Sequence, residues 1–551
     1  MNNLKKIKTI AEKCTSIDGF LLKIKRKNLC YDIDALSDCR SYLCGRYGAA
    51  GDEKLNELLN EVLFFKRERE ALKARISKLS AFSSPEEEFV YALMVLEFIS
   101  RRKNVDGNVE DSGFGFDVKI NTSFQDGINY RGLVDEEFAF DYFLQNYSGI
   151  LKELWINVKS DLLFPNAMDW GKFRTAFECA TLASDWAIFN EFQKLWEINE
   201  VTITVDGGQA ILNAQSSGVV AAFRVSLARL RLKRFSRDAD IIRRVSSSHS
   251  RLLKRWEENT VVSFYHLVEQ FYSRDLKENY LGVALNVWLK SYSLILRLIN
   301  ENSLKKDCFG LFFTVSKTDL LKLLSNEGID KSDCEFVVSS LTFTNKSTDI
   351  LDCPLILVSP DRYAILKSCA SVIHPAFSIE SLLRSKGADF QSQGNKFQNN
   401  ILKFLQGKNI PCATVKVKNF DCDVAFIFDD DLYLCECKSK FQQENVKGYR
   451  EYLEGFLLDT VAQHKKTTDF FVGNLSYIRK ELSLDANWNP VNIHKLIVTS
   501  ALLGRSLRVN DFYILDEKTL KDFFSRAKMR KKNVVTGAII EEYYDERLEG
   551  L

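Results

Sequence analysis

Between Cys422 and Ser439 the chain reads with a period of two. Cys422, Val424, Phe426 and Phe428 alternate with Asp423, Ala425 and Ile427, and after three aspartates Leu432 to Ser439 alternates again. That period predicts two strands joined by a tight turn. A two-residue turn at Asp430-Asp431 pairs Asp429 with Leu432, which sets Asp423 opposite Lys438 and Ala425 opposite Glu436. Opposed residues share a face, and so do residues two apart on one strand. Asp423, Glu436 and Lys438 are therefore expected to converge, with Cys435 and Cys437 turned to the apolar side alongside Cys422 and Phe426.

Helical spacing flanks this hairpin. Gly394 to Leu405 carries Phe397, Ile401, Phe404 and Leu405 at helical intervals, and Gly407-Lys-Asn-Ile-Pro411 stops the run. Tyr449, Leu453, Phe456, Leu457, Thr460 and Val461 predict a second helix, ending in Gln463, His464, Lys465 and Lys466. Leu496–Thr499 and Phe512–Leu515 read as short buried strands, and Thr519 to Phe524 opens a last helix. Residues 1 to about 340 read mainly as helix. Ser84-Pro85-Glu86-Glu87 is a capping box with proline at the first helical position, launching Phe89 to Ser100. Gly107 to Gly132 is expected to be a surface loop, Trp155 to Trp196 is aromatic and helical in period, and Val201 to Gly208 suggests a small hairpin. Two short helices around Gly328 precede a hairpin, Pro354–Val358 with Tyr363–Leu366, turned by Ser359-Pro-Asp361.

Composition narrows the class. A chain of 551 residues is too long for one core, and 46% hydrophobic with 27% charged residues is ordinary for a globular protein. A net charge of +2 carries no global nucleic-acid signature, so any such contact has to come from local patches. Thirteen cysteines without C-x₂-C pairs and only five histidines argue against a zinc ribbon. The basic N-terminus lacks the apolar core of a signal peptide, and no apolar run is long enough to span a bilayer. A reducing, cytoplasmic setting is the expectation.

Two carboxylates beside a lysine have a specific chemistry. Mg²⁺ or Mn²⁺ takes one or two protein carboxylates plus substrate phosphates, and an adjacent ammonium can orient the attacking water or steady the developing charge. At these residues, and over roughly 378 to 530, the chain resembles the PD-(D/E)xK nuclease superfamily, in style its Mrr-like and Holliday-junction-resolvase-like branches. The resemblance implies a restriction-endonuclease-like α/β domain with a mixed sheet. It also implies Asp423 and Glu436 as ligands of Mg²⁺ (or Mn²⁺), Lys438 as the catalytic lysine, and Gln398, Gln463 and Lys465 as candidate substrate contacts. Gln398 stands where members of the family often carry a first-helix glutamate. The same D-x-D and E-x-K residues also describe an exposed face with ordinary cross-strand ion pairs.

Between Arg224 and Arg255 eleven Lys or Arg residues face only Asp238 and Asp240. Arg229, Arg231, Lys233, Arg234, Arg243 and Arg244 are the candidate phosphate contacts of this stripe, which reads equally as a solvated helix pair. Within it, Arg244-Val-Ser-Ser-Ser-His249 matches the R-x₄-H spacing of HEPN-type ribonucleases, which act without metal. The expected organisation is a mainly α region over 1–340, a connecting segment over 341–377 and a nuclease-like domain over 378–551. The expected function is metal-dependent hydrolysis of DNA in bacterial restriction or anti-phage defence. The alternatives are a catalytically silent nucleic-acid or protein-binding module on the same fold and a HEPN-like ribonuclease. Expected partners are nucleic acid, DNA ahead of RNA, proteins of the same defence operon and a second copy of the chain, with no membrane.

Overall fold

A computed structural model describes residues 3–77, 82–106, 136–198, 201–206, 209–214, 241, 258–273, 275–301, 305–307, 310–417, 419–443, 448, 451–503, 506–525, 529–532 and 539–543. The chain forms two compact units. One contains Met1–Val220, Arg251–Phe264 and Leu276–Ala388; the other contains Ala221–Ser250, Tyr265–Asp275 and Asp389–Leu551. The C-terminal part of the second unit starts at Asp389, and two segments distant in sequence join it. Among the described residues no helix is long and apolar enough to cross a membrane.

The first unit is built largely from helices. Helix Pro85–Asp106 starts with one half of the expected capping box: the Ser84 hydroxyl accepts the Glu87 amide at 3.2 Å, while the Glu87 carboxylate takes the Ser83 amide, one residue before the cap, at 2.9 Å. Every residue from Phe89 to Leu96 is buried, so this helix is apolar on all sides and occupies the centre of its packing. Helices Glu136–Asn157 and Trp170–Ile198 pack against it. A second cluster gathers Phe20, Leu36, Phe65 and Trp196, with the Trp196 indole donating to Glu61 at 2.7 Å. The predicted hairpin forms from Val201–Asp206 and Gln209–Ala214. Helices Lys317–Asn326 and Lys331–Leu341 flank Gly328, whose φ of 75° suits a glycine, and hairpin Ile356–Ser359 with Arg362–Leu366 completes a four-stranded sheet. The loop expected over 107–132 lies outside the described residues.

The second unit is a mixed six-stranded sheet between helices. Helix α1 (Gln393–Gly407) is followed by strands β1 (Cys412–Val417), β2 (Phe420–Phe428) and β3 (Asp431–Lys438). A π-helical turn, Tyr452–Leu457, leads into α2 (Leu458–Val472), and α3 (Leu475–Glu481) comes after it. Strands β4 (Ile493–Thr499), β5 (Leu507–Val509) and β6 (Phe512–Asp516) and helix α4 (Glu517–Ser525) complete the layer. The sheet order is β5-β6-β4-β3-β2-β1, with β3 parallel to β4 and β4 parallel to β6. Phe397, Ile401 and Leu405 of α1 pack on one face with Val424, Phe426, Tyr433, Cys435 and Cys437. On the other face, Phe471 and Ile478 pack with Val415, Leu432 and Leu434.

Two expectations for the hairpin are corrected. The turn residues are Asp429 and Asp430, both left-handed with φ of 51° and 63°, and Phe428 pairs with Asp431. This is the geometry of a two-residue hairpin turn whose twist matches the strands. Either aspartate pair satisfies the turn. Asp431 decides between them, because its carboxylate is committed to the Asn492 amide at 2.9 Å and to His494 at 3.0 Å. Moving a two-residue turn by one position shifts the register by two, so the side chains keep their faces. Cys422 is the second correction: it packs with Val415, Ala425 and Leu434, on the face opposite Phe426. A β-bulge reverses the alternation there.

Candidate active site

The bulge is where the site is made. Cys422 pairs with Val415 and Ala425 with Ala413, so Asp423 and Val424 together face the single residue Thr414. The ladder to β3 ends at Val424 and Cys435, and the next residues along it are Asp423 and Glu436. On the β2 side, where the ladder has ended, the Cys437 amide donates to Asp423 Oδ2 at 2.8 Å. Lys438 Nζ donates to Glu436 Oε1 at 2.6 Å. Asp423, Glu436 and Lys438 therefore come together at the end of the hairpin, although Asp423 faces Glu436 and not Lys438 as the other turn would have required.

Their electrostatics follow from that placement. Burial, then the charge of Glu436, pushes the Asp423 carboxyl up to about 6. Burial works the same way on Glu436, but the adjacent His464 ring and the Lys438 hydrogen bond outweigh it and hold that carboxyl below the usual range. His464 Nδ1 stands 3.3 Å from Glu436 Oε2, and its Nε2 lies 3.4 Å from the Leu434 carbonyl. The histidine side chain has no exposed surface. One carboxylate is thus compensated by two nitrogen groups, and its neighbour carries the electrostatic strain.

Helix α2 delivers His464, a residue outside the expected site set. Gln463 and Lys465, the expected substrate contacts, are exposed on either side of it. Lys465 acts electrostatically on Asp511, which Lys495 grips at 2.6 Å. A signal for His464 exists in the sequence: the buried set Thr460, Val461, His464, Thr468 and Phe471 continues the three-and-four spacing that defines the helix. The Gln398 amide, the third expected contact, donates to the Asp423 carbonyl at 2.7 Å and to Thr414 Oγ1 at 2.8 Å. Arg229, Arg231, Lys233, Arg234, Arg243, Arg244 and His249 lie outside the described residues.

The donor set suits a hard divalent cation at its minimum. Among the described residues no cluster of three or more His, Cys, Asp or Glu stands ready to hold a metal. Two neighbouring carboxylates, one with its proton affinity raised by burial and then by the other, still match the one or two that Mg²⁺ takes beside waters and phosphate oxygens. Asp423 and Glu436 are the residues that could hold such an ion. Comparison with protein-family profiles, with curated proteins and with solved structures gives no match.

Proposed function

We propose that the C-terminal unit hydrolyses nucleic-acid phosphodiester bonds in the manner of a PD-(D/E)xK nuclease. The supporting observation is the meeting of Asp423, Glu436 and Lys438 at a bulged strand end, with Lys438 Nζ 2.6 Å from Glu436 Oε1. Asp423 and Glu436 would hold Mg²⁺ or Mn²⁺, which would supply a polarised water and neutralise charge at the scissile phosphate. Glu436 keeps the Lys438 ammonium at the site, where it orients the attacking water and stabilises the charge that builds on the phosphoryl oxygens. His464 fixes the Glu436 carboxylate from the buried side. DNA is named ahead of RNA, and restriction or anti-phage defence as the setting, from the sequence resemblance.

The test is cleavage of plasmid, linear and single-stranded DNA in Mg²⁺ and in Mn²⁺. Lys438→Ala and Glu436→Gln are each expected to lower the rate by about a hundredfold or more, the usual size of losing a preorganised charge at the transition state. Wild type that binds DNA and cuts it in neither ion makes this unit a binding module. RNA cleavage that persists in chelator and disappears with His249→Ala makes the protein a metal-independent ribonuclease.

A further inference from the structure

Gln398 lies on α1, and its side chain is spent on the bulge of β2. Its Nε2 lies 2.7 Å from the Asp423 carbonyl oxygen and 2.8 Å from Thr414 Oγ1. The Thr414 hydroxyl in turn donates to that same carbonyl at 2.8 Å. A carbonyl oxygen has two lone pairs, and here two side chains take them. Thr414 is also the one residue that faces the two-residue bulge. A bulge leaves its extra residue outside the ladder, so the peptide at Asp423 has lost its strand partner and would otherwise rotate.

We infer that Gln398 and Thr414 form a side-chain clamp on the bulge carbonyl, and that this clamp aims the Asp423 carboxylate. The backbone carbonyl is held on the α1 side, where Gln398 sits, and the Asp423 side chain reaches across to the Cys437 amide beside Glu436. Gln398 is a positioning residue. It acts through the Asp423 backbone, and its amide is required because it donates to two oxygens. What the clamp serves rests on the nuclease reading; that it sets Asp423 does not.

The deciding variant is Gln398→Glu, equal in size but acceptor-only when ionised. If residue 398 were a metal ligand, Glu would tighten Mn²⁺ binding; the clamp requires the opposite, since a carboxylate would oppose the Asp423 carbonyl. Amide hydrogen exchange on the full-length protein reads the clamp directly. In Gln398→Glu and Thr414→Val the Cys437 amide is expected to exchange about tenfold faster, the size of losing one or two net hydrogen bonds, with exchange in β4 and β6 unchanged. Thr414→Ser retains the hydroxyl and is expected to behave as wild type. Mn²⁺ affinity in the first two variants is expected to fall about 10- to 100-fold. Wild-type exchange at Cys437 in Gln398→Glu, or tighter Mn²⁺ binding by it, overturns the clamp. Wild type that neither binds Mn²⁺ nor cuts removes the nuclease reading, and the exchange arm still decides the clamp.

Discussion

At the scale of single residues, the site works through pairs whose members depend on one another. Glu436 is half-buried between Lys438 at 2.6 Å and His464 at 3.3 Å, so each of its oxygens faces a nitrogen group. Removing the inner partner leaves the carboxylate free to turn. His464→Asn is therefore expected to weaken Mn²⁺ binding about 10- to 100-fold, as losses of orienting groups behind metal ligands do, with DNA affinity in chelator unchanged. Calorimetric Mn²⁺ titration with a parallel DNA-binding isotherm checks both halves, and an unchanged metal affinity would show that Lys438 alone positions Glu436. Asp423, Glu436 and Lys438 were legible beforehand because alternation along a strand assigns faces without knowledge of the rest. His464 lay within the same helical period as Thr460 and Val461. In the sequence the charged and amide neighbours Gln463 and Lys465 stand out over it, because polarity suggests chemistry whereas facing direction decides it.

At the scale of elements, the hairpin shows which details sequence leaves open. Asp429-Asp430 and Asp430-Asp431 are chemically the same pair, so turn propensity cannot separate them; Asp431 becomes a strand residue because Asn492 and His494 bind its carboxylate. The second turn residue, Asp430, holds φ at 63°, a conformation that costs a residue with a Cβ and suits glycine. Asp430→Gly is expected to stabilise the protein by about 0.5–1 kcal/mol without affecting any side-chain contact of the site. Urea unfolding followed at fixed pH measures this, and a lower midpoint would mean that the Asp430 carboxylate has a role the turn does not reveal. Edge strand β1 and the bulge beside it were not legible either. A bulge is defined by two strands together, and Cys422 reads as a partner of Phe426 until Thr414 is placed opposite Asp423 and Val424.

At the scale of the whole molecule, the first unit contains an acid whose burial couples folding to pH. Glu97, on the central helix, is 1% exposed and accepts the amides of Ser368 and Cys369 at 2.6 to 3.1 Å. Desolvation outweighs those hydrogen bonds and raises its carboxyl from 4.5 to about 7. The folded chain therefore keeps this proton up to about pH 7, while the unfolded chain releases it near 4.5. Unfolding sheds a proton in that window, so the contribution of Glu97 to stability declines as pH rises from 4.5 to 7 and is level above it. Glu97→Gln is expected to flatten that slope relative to wild type in unfolding midpoints taken from pH 5 to pH 8, and an identical slope would place the carboxylate in a wetter setting than its burial indicates. The sequence by itself determined the periods: which runs are helix or strand, which face of the hairpin gathers acids and lysine, and where Ser84 caps the start of the central helix. These depend on neighbours within a few residues, where steric and hydrogen-bond preferences act directly. Only the tertiary structure decided the turn register, the bulge that aims Asp423, the clamp from Gln398 and Thr414, and the choice of His464 over its neighbours. Each of those joins residues far apart in the chain, and their partners exist only once the sheet and its helices have packed.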